Sequence, residues 1–106
     1  MILRVTRARI KANMESEVFT LLREGAAGLS RPRGMQLLVI ARRRTEGSTE
    51  LVATSIWDDV EAIRASMGAA YQEPHFFPAL DALIEDPSVA HFETVLHGWE
   101  DLLSEG

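Results

Sequence analysis

Hydrophobic and polar residues alternate with a period of two from Ile2 to Ile10, where aliphatic side chains are interleaved with arginine and threonine. That period predicts a half-exposed first strand. Leu3 and Val5 fall in phase with Arg7 and Arg9, so the face they share turns polar toward its end. Past Asn13 the period lengthens. Met14, Val18, Leu21, Leu22 and Leu29 recur at helical spacing, an apolar stripe on a helix for which Asn13 is the expected N-cap and which Gly25, Gly28 and Pro32 end. A second strand is expected from about Met35 to Arg43, then a turn at Glu46-Gly47-Ser48, then a third strand closing at Trp57.

The junction at Trp57 carries the most information. An alternating run, Val52-Ala53-Thr54-Ser55-Ile56-Trp57, passes at once into Asp58-Asp59-Val60-Glu61, where Asp58 followed by Glu61 has the spacing of a capping box. The helix it opens runs from Asp59 to about Met67, before Gly68. Pro74 and Pro78 then bracket His75-Phe76-Phe77, which gives either a bent aromatic lid or a pair of short helical turns rather than one long helix. A last strand is expected from Val89 to Leu96, and the tail from Gly98 either adds a helical turn or docks on a partner.

The order β-α-β-β-α-β is the ferredoxin-like arrangement, an α+β fold with an antiparallel sheet, here in a single domain over residues 1–106 with residues 98–106 as its tail. Two helices cover one face of such a sheet. The other face carries apolar side chains from each strand and must be covered by something else. Packing two copies face to face makes a dimeric α/β barrel, so a homodimer is expected, with a cavity in each protomer between sheet and helices.

Charge and composition narrow the partners. A net charge of −5 disfavours nucleic acid, since a binder of phosphate backbones concentrates positive charge. The local cluster Arg42-Arg43-Arg44, with Arg31 and Arg33, reads as a solvated hairpin tip. With 0 cysteines there are no disulfides, no thiolate nucleophile and no thiolate metal site. No apolar run approaches the roughly 18 residues of a membrane span or the core of a signal peptide, so a cytoplasmic protein without a membrane partner is expected.

The run Ser55-Ile56-Trp57-Asp58-Asp59-Val60-Glu61-Ala62-Ile63-Arg64, followed by Tyr71 and Pro78 and by Val89-Ala90-His91-Phe92-Glu93-Thr94-Val95, resembles the antibiotic-biosynthesis-monooxygenase-like superfamily of dimeric α/β barrels over nearly the whole chain. The superfamily includes cofactor-independent monooxygenases, haem-degrading enzymes, quinol-oxidising proteins and members of no known role. The resemblance to the monooxygenases implies chemistry without a resident cofactor: a phenol or enol is deprotonated and itself reduces dioxygen, and the protein supplies a dry pocket and donors for the oxyanion. It also implies that Trp57 helps to line the pocket. The haem-degrading members use an asparagine on the first strand, a second tryptophan and a proximal histidine. Here Arg7 stands near the first position, Ser66 at the second and His75 near the third, so a haem-oxygenation set is incomplete, while haem binding through His75 is left open.

Candidate chemistry therefore falls to few groups. His75 and His91 are the candidate bases, and Arg7 and Tyr71 the candidates to hold a developing anion, since imidazole titrates near neutrality and a phenol near ten. Trp57, Tyr71, Phe76, Phe77 and Met67 are the candidate lining for a small hydrophobic or aromatic molecule. Each has a plainer reading: Trp57 as a core anchor, His91 as a cross-strand hydrogen-bonding residue, His75 as a packed residue at the solvent edge. Asp58, Asp59 and Glu61 are explained as capping and dipole partners, Glu15, Glu17 and Glu24 as a solvated helix face, and no metal site is expected. Two functions follow: a cofactor-independent monooxygenase or related oxidoreductase acting on a small aromatic or enolic compound, or a non-catalytic, stress-associated dimer that holds a hydrophobic molecule or haem.

Overall fold

A computed structural model describes residues 1–74, 76 and 78–104. Strand β1 (Ile2–Ile10) is followed by helix α1 (Glu15–Ala27), the hairpin of β2 (Met35–Thr45) and β3 (Ser48–Trp57), helix α2 (Val60–Met67), a 3-10 turn (Pro78–Leu80), β4 (Ile84–Glu93) and a short helix α3 (Trp99–Leu103). The four strands form one antiparallel sheet in the order β2-β3-β1-β4, the α+β ferredoxin-like arrangement. None of its described helices is long and apolar enough to cross a membrane.

Register assigns each side chain to a face, because residues paired across an antiparallel ladder point the same way. On the helix side, Ile10 of β1 and Leu51 of β3 pack with Val18 and Leu22 of α1 and with Leu80, and Met14, Phe19, Leu21, Phe76 and Leu83 close around them. Farther along the same face, Trp57 and Ile63 are fully buried where α2 meets β3. The opposite face carries three cross-sheet rows: Phe92, Leu3, Ile56 and Leu37; Ala90, Val5, Thr54 and Val39; Ser88, Arg7, Val52 and Ala41. Beyond them the face becomes charged, with Glu50 bridging Arg7 and Arg43, and Arg9 engaging Glu85 and Asp86. The polar turn anticipated for the Leu3 face is thus present.

Local details depart from the sequence pattern in several places. Gly25, expected to help end α1, lies inside it, and Leu29, expected in its apolar stripe, falls beyond the helix and is exposed. Asn13 does not cap α1. It adopts a left-handed φ of 66°, a conformation that asparagine tolerates in turns, and the helix begins after Met14 without a side-chain cap. At α2 the cap is Asp59 rather than Asp58: its carboxylate accepts from Ala62 N at 2.8 Å, whereas Asp58 takes a hydrogen bond from the Gln36 side chain and Glu61 pairs with Arg64. Strand β4 starts five residues before the expected Val89 and stops at Glu93, short of Leu96. Asp86 with φ 52° and Pro87 sit at a register shift opposite Arg7 to Arg9, and an edge strand tolerates a proline at such a bulge. Glu93 pairs with Ile2, so beyond it β1 offers no further ladder partner and one last bond, Thr94 N to Met1 O, closes the strand.

Gly34 ties the hairpin to α2. Its φ is 87°, its carbonyl accepts from Asp58 N at 2.9 Å, and a Cβ at this position would lie 2.6 Å from the Ala62 Cβ. Gly34→Ala combines a disfavoured backbone conformation with overpacking, so a loss of about 2–4 kcal/mol is expected in urea denaturation; a loss below about 0.5 kcal/mol, the range of neutral surface changes, would contradict the packing described.

Candidate functional site

One row of the helix-facing side is polar. His91 of β4, Arg4 of β1 and Ser55 of β3 are in register, each in phase with buried neighbours such as Thr6 and Trp57. Arg4 is 1% exposed. Its Nη1 donates to the Tyr71 carbonyl at 2.6 Å and contacts His91 Nε2 at 2.7 Å, and its Nη2 donates to the Glu73 carbonyl at 3.4 Å. A guanidinium can only donate, so His91 Nε2 must be the acceptor and the ring proton must sit on Nδ1. The Tyr71 ring meets the His91 ring edge to face at 5.5 Å, and the Arg64 guanidinium lies 5.4 Å from the Tyr71 centroid. Trp57 directs its indole N–H to Ser55 Oγ at 2.8 Å, which satisfies the one polar atom of a fully buried ring.

Electrostatics follows from burial. Desolvation lowers the Arg4 pKa from its usual value, although guanidinium remains charged. Desolvation, and after it the Arg4 charge, lowers the His91 pKa, which agrees with a neutral ring accepting from Arg4.

Of the residues singled out from sequence, His91, Tyr71 and Trp57 converge on this side of the sheet, while Met67 is half-buried at the end of α2. Phe76 is half-buried and packs on the Ile10–Leu51 core beneath α1. His75 and Phe77 lie outside the described residues. Arg7 requires correction: it points to the opposite face and pairs with Glu50 at 2.9 Å, because three residues along a strand reverse the face, and the guanidinium beside His91 is that of Arg4. Arg4 and Ser55 were not anticipated. Phase was an incomplete signal, since Arg4 shares its side of β1 with Thr6, Ala8 and Ile10 while the other side carries Leu3 and Val5.

A second feature lies between α1 and β2, an open groove of about 890 Å³ with Phe19, Leu22 and Ile40 along it and Arg23, Arg42 and Arg44 at its margins. Glu15 reaches across to Arg42 and Arg44 and accepts from Thr49, so it clamps α1 to the hairpin, and its pKa is lowered first by the Arg44 hydrogen bond. The expectation that Glu15 is merely solvated, and Arg42 and Arg44 merely a hairpin tip, is corrected accordingly. Among the described residues no group of three or more acidic or histidine side chains could hold a metal ion.

Comparison with solved structures places this fold. An antibiotic biosynthesis monooxygenase superposes with a TM-score of 0.68 at 18% identity, covering 90% of this chain and 99% of its own. The haem-degrader MhuD from Mycobacterium tuberculosis, solved with two haems in its active site, gives 0.65 at 18% identity and covers 92% of this chain and 99% of its own. A mutant of SnoaB, a cofactor-independent oxygenase from Streptomyces nogalater, gives 0.61 at 24% identity and covers 88% and 91%. No protein-family model and no curated protein matches the sequence. The chain has the fold of the antibiotic-biosynthesis-monooxygenase-like proteins, as the residues around Trp57 suggested.

The His91 arrangement sets a pH dependence. The unfolded chain takes up the imidazole proton near 6.5, whereas the folded protein does so only at lower pH. Between those values the unfolded state binds more protons, so the His91 contribution to stability is complete above 6.5 and is lost as pH falls through the folded value. Urea denaturation at successive pH values should show stability declining on acidification from pH 7, and His91→Gln, which keeps an acceptor for Arg4, should flatten that decline. An unaltered slope in the variant would contradict the assignment.

Proposed function

We propose that this protein is a homodimeric, cofactor-independent monooxygenase acting on a small aromatic or enolic compound held between the sheet and α2. The observation that carries the reading is the Arg4, His91 and Tyr71 assembly beside Trp57, on the helix side of a fold shared with SnoaB, which is a cofactor-independent oxygenase. A base in the site removes a proton from the substrate, and the carbanion or enolate formed gives one electron to dioxygen. The substrate radical recombines with superoxide to a peroxide that takes the proton back as a hydroperoxide. Loss of water then converts a CH2 group to C=O, so one oxygen atom stays in the product and the other leaves as water. Trp57 and Met67 orient the ring system, and the Arg4 guanidinium and the Tyr71 hydroxyl stabilise the oxyanion. His75 is the proton acceptor, an assignment favoured over His91 because Arg4 occupies the His91 Nε2 lone pair.

The same occupied lone pair favours a second reading, a dimer that binds a hydrophobic molecule without turnover. Engaged by Arg4, His91 does not fit a haem-ligand role either, so haem binding would fall to His75.

Homodimerisation is supported by the exposed apolar rows on the far face of the sheet, where Leu37, Val39 and Phe92 are each near half exposed. Light scattering should report a dimer at micromolar concentration, and Val39→Lys on the edge strand β2 should shift the mass toward monomer while circular dichroism stays unchanged. A monomeric wild type would remove the barrel. For the chemistry, an oxygen electrode with a panel of anthrones and dihydroxynaphthalenes and no added cofactor should record consumption that His75→Ala lowers by about a hundredfold or more, the usual worth of a general base. Absence of consumption across the panel would favour the binding reading.

A further inference from the structure

Arg4 differs from the ion-pairing arginines of this chain. Arg7, Arg9, Arg42, Arg43, Arg44 and Arg64 each reach a carboxylate at the surface. Arg4 is the buried one, and its partners among the described residues are two main-chain carbonyls and one imidazole nitrogen, all neutral. A buried cation facing only neutral acceptors is costly, because dipoles compensate lost hydration less well than an opposite charge. The three hydrogen bonds use three of the five N–H groups that a guanidinium offers. Planar anions suit such a donor set, since a carboxylate or enolate brings the opposite charge that a peptide carbonyl lacks.

The carbonyls that cover Arg4 belong to an irregular segment, which is held within itself by the Glu73 N–H donating to the Ala70 carbonyl at 2.9 Å. Residues 68–74 follow α2 through Gly68, at φ 84°, outside any helix or strand. Apart from the half-buried Tyr71, these residues are exposed. The Glu73 contact is long at 3.4 Å.

We propose that Arg4 is the anion-recognition group of this protein: a small planar organic anion, carboxylate or enolate, replaces the Tyr71 and Glu73 carbonyls on the guanidinium, and the segment after Gly68 moves aside to admit it. The inference rests on the reading that a small molecule binds beside Trp57 and Tyr71, and it adds that the molecule must be negatively charged. Arg4 thus links ligand charge to opening of the site. His91 stays bound to Nη1 and keeps the guanidinium in place while the carbonyls leave.

The test uses 2-naphthoate and its neutral isostere 2-naphthamide as probes of the purified protein. Calorimetry should give naphthoate an affinity higher by about tenfold or more, as expected for a charge-assisted bond in a buried site. Hydrogen exchange should quicken over residues 69–74 with naphthoate alone. Arg4→Gln should erase the preference and Arg4→Lys should keep part of it; if Arg4→Gln does not fold, the wild-type affinity ratio, the exchange data and Arg4→Lys decide. Equal affinities, a preference that survives Arg4→Gln, or unchanged exchange each overturn the proposal and leave the oxygenase reading standing. Failure of both probes to bind overturns it together with the pocket beneath it.

Discussion

A four-stranded sheet covered by helices on one side gives each strand two environments, and the alternation of β1 decides what each one receives. Its even positions go under the helices, where Ala8 and Ile10 complete an apolar core and Arg4 and Thr6 do not. Its odd positions go to the uncovered face, where Leu3 and Val5 join rows that span all four strands. A one-residue slip would exchange these sets and place Arg7 and Arg9 under α1. The pairings of β3 and β4 with β1 follow from that choice, and with them the juxtaposition of Arg4, Ser55 and His91.

Within the covered side the molecule is divided by polarity. Near α1 the packing is aliphatic and aromatic, with the Glu15 clamp to Arg42 and Arg44 at its margin. Near the end of α2 a guanidinium, an imidazole, a phenol and an indole–hydroxyl pair share a small volume. Such a polar island destabilises a small domain unless its donors and acceptors are matched, and here the matching is done largely by main-chain carbonyls of an irregular segment. One side chain, His91, and two loop carbonyls thus share the matching of the guanidinium.

The general architecture was legible in the sequence because local signals coincide. The strand ending at Trp57, the acidic cap and the helix after it are contiguous, so no long-range information was needed, and even the misplacement of the cap amounts to one residue. The Glu46-Gly47-Ser48 turn likewise fixed the hairpin. Arg4 was hidden for a different reason: both phases of β1 carry aliphatic residues, so alternation alone does not rank its two faces. The face of His91 was not legible because the strand that carries it begins at Ile84 rather than Val89 and contains a register shift near Asp86 and Pro87. The clamp from Glu15 to Arg42 and Arg44 joins positions far apart in the chain, and a charged residue at a helix start has no local sign of such a partner.

The irregularity in β4 bears on how these sheets can grow. This strand forms one edge of the sheet, with its outer hydrogen-bonding groups turned away from the ladder. A proline without an N–H and a left-handed aspartate interrupt that edge, so an incoming strand would find neither a continuous row of donors nor a flat surface. The other edge, β2, carries three consecutive arginines near its end, paired with Glu15 and Glu50, which place charge along that part of the border. Strand addition is thus hindered along β4 and at the arginine end of β2, whereas the exposed stretch Leu37, Leu38, Val39 and Ile40 leaves the rest of that edge open to a partner strand.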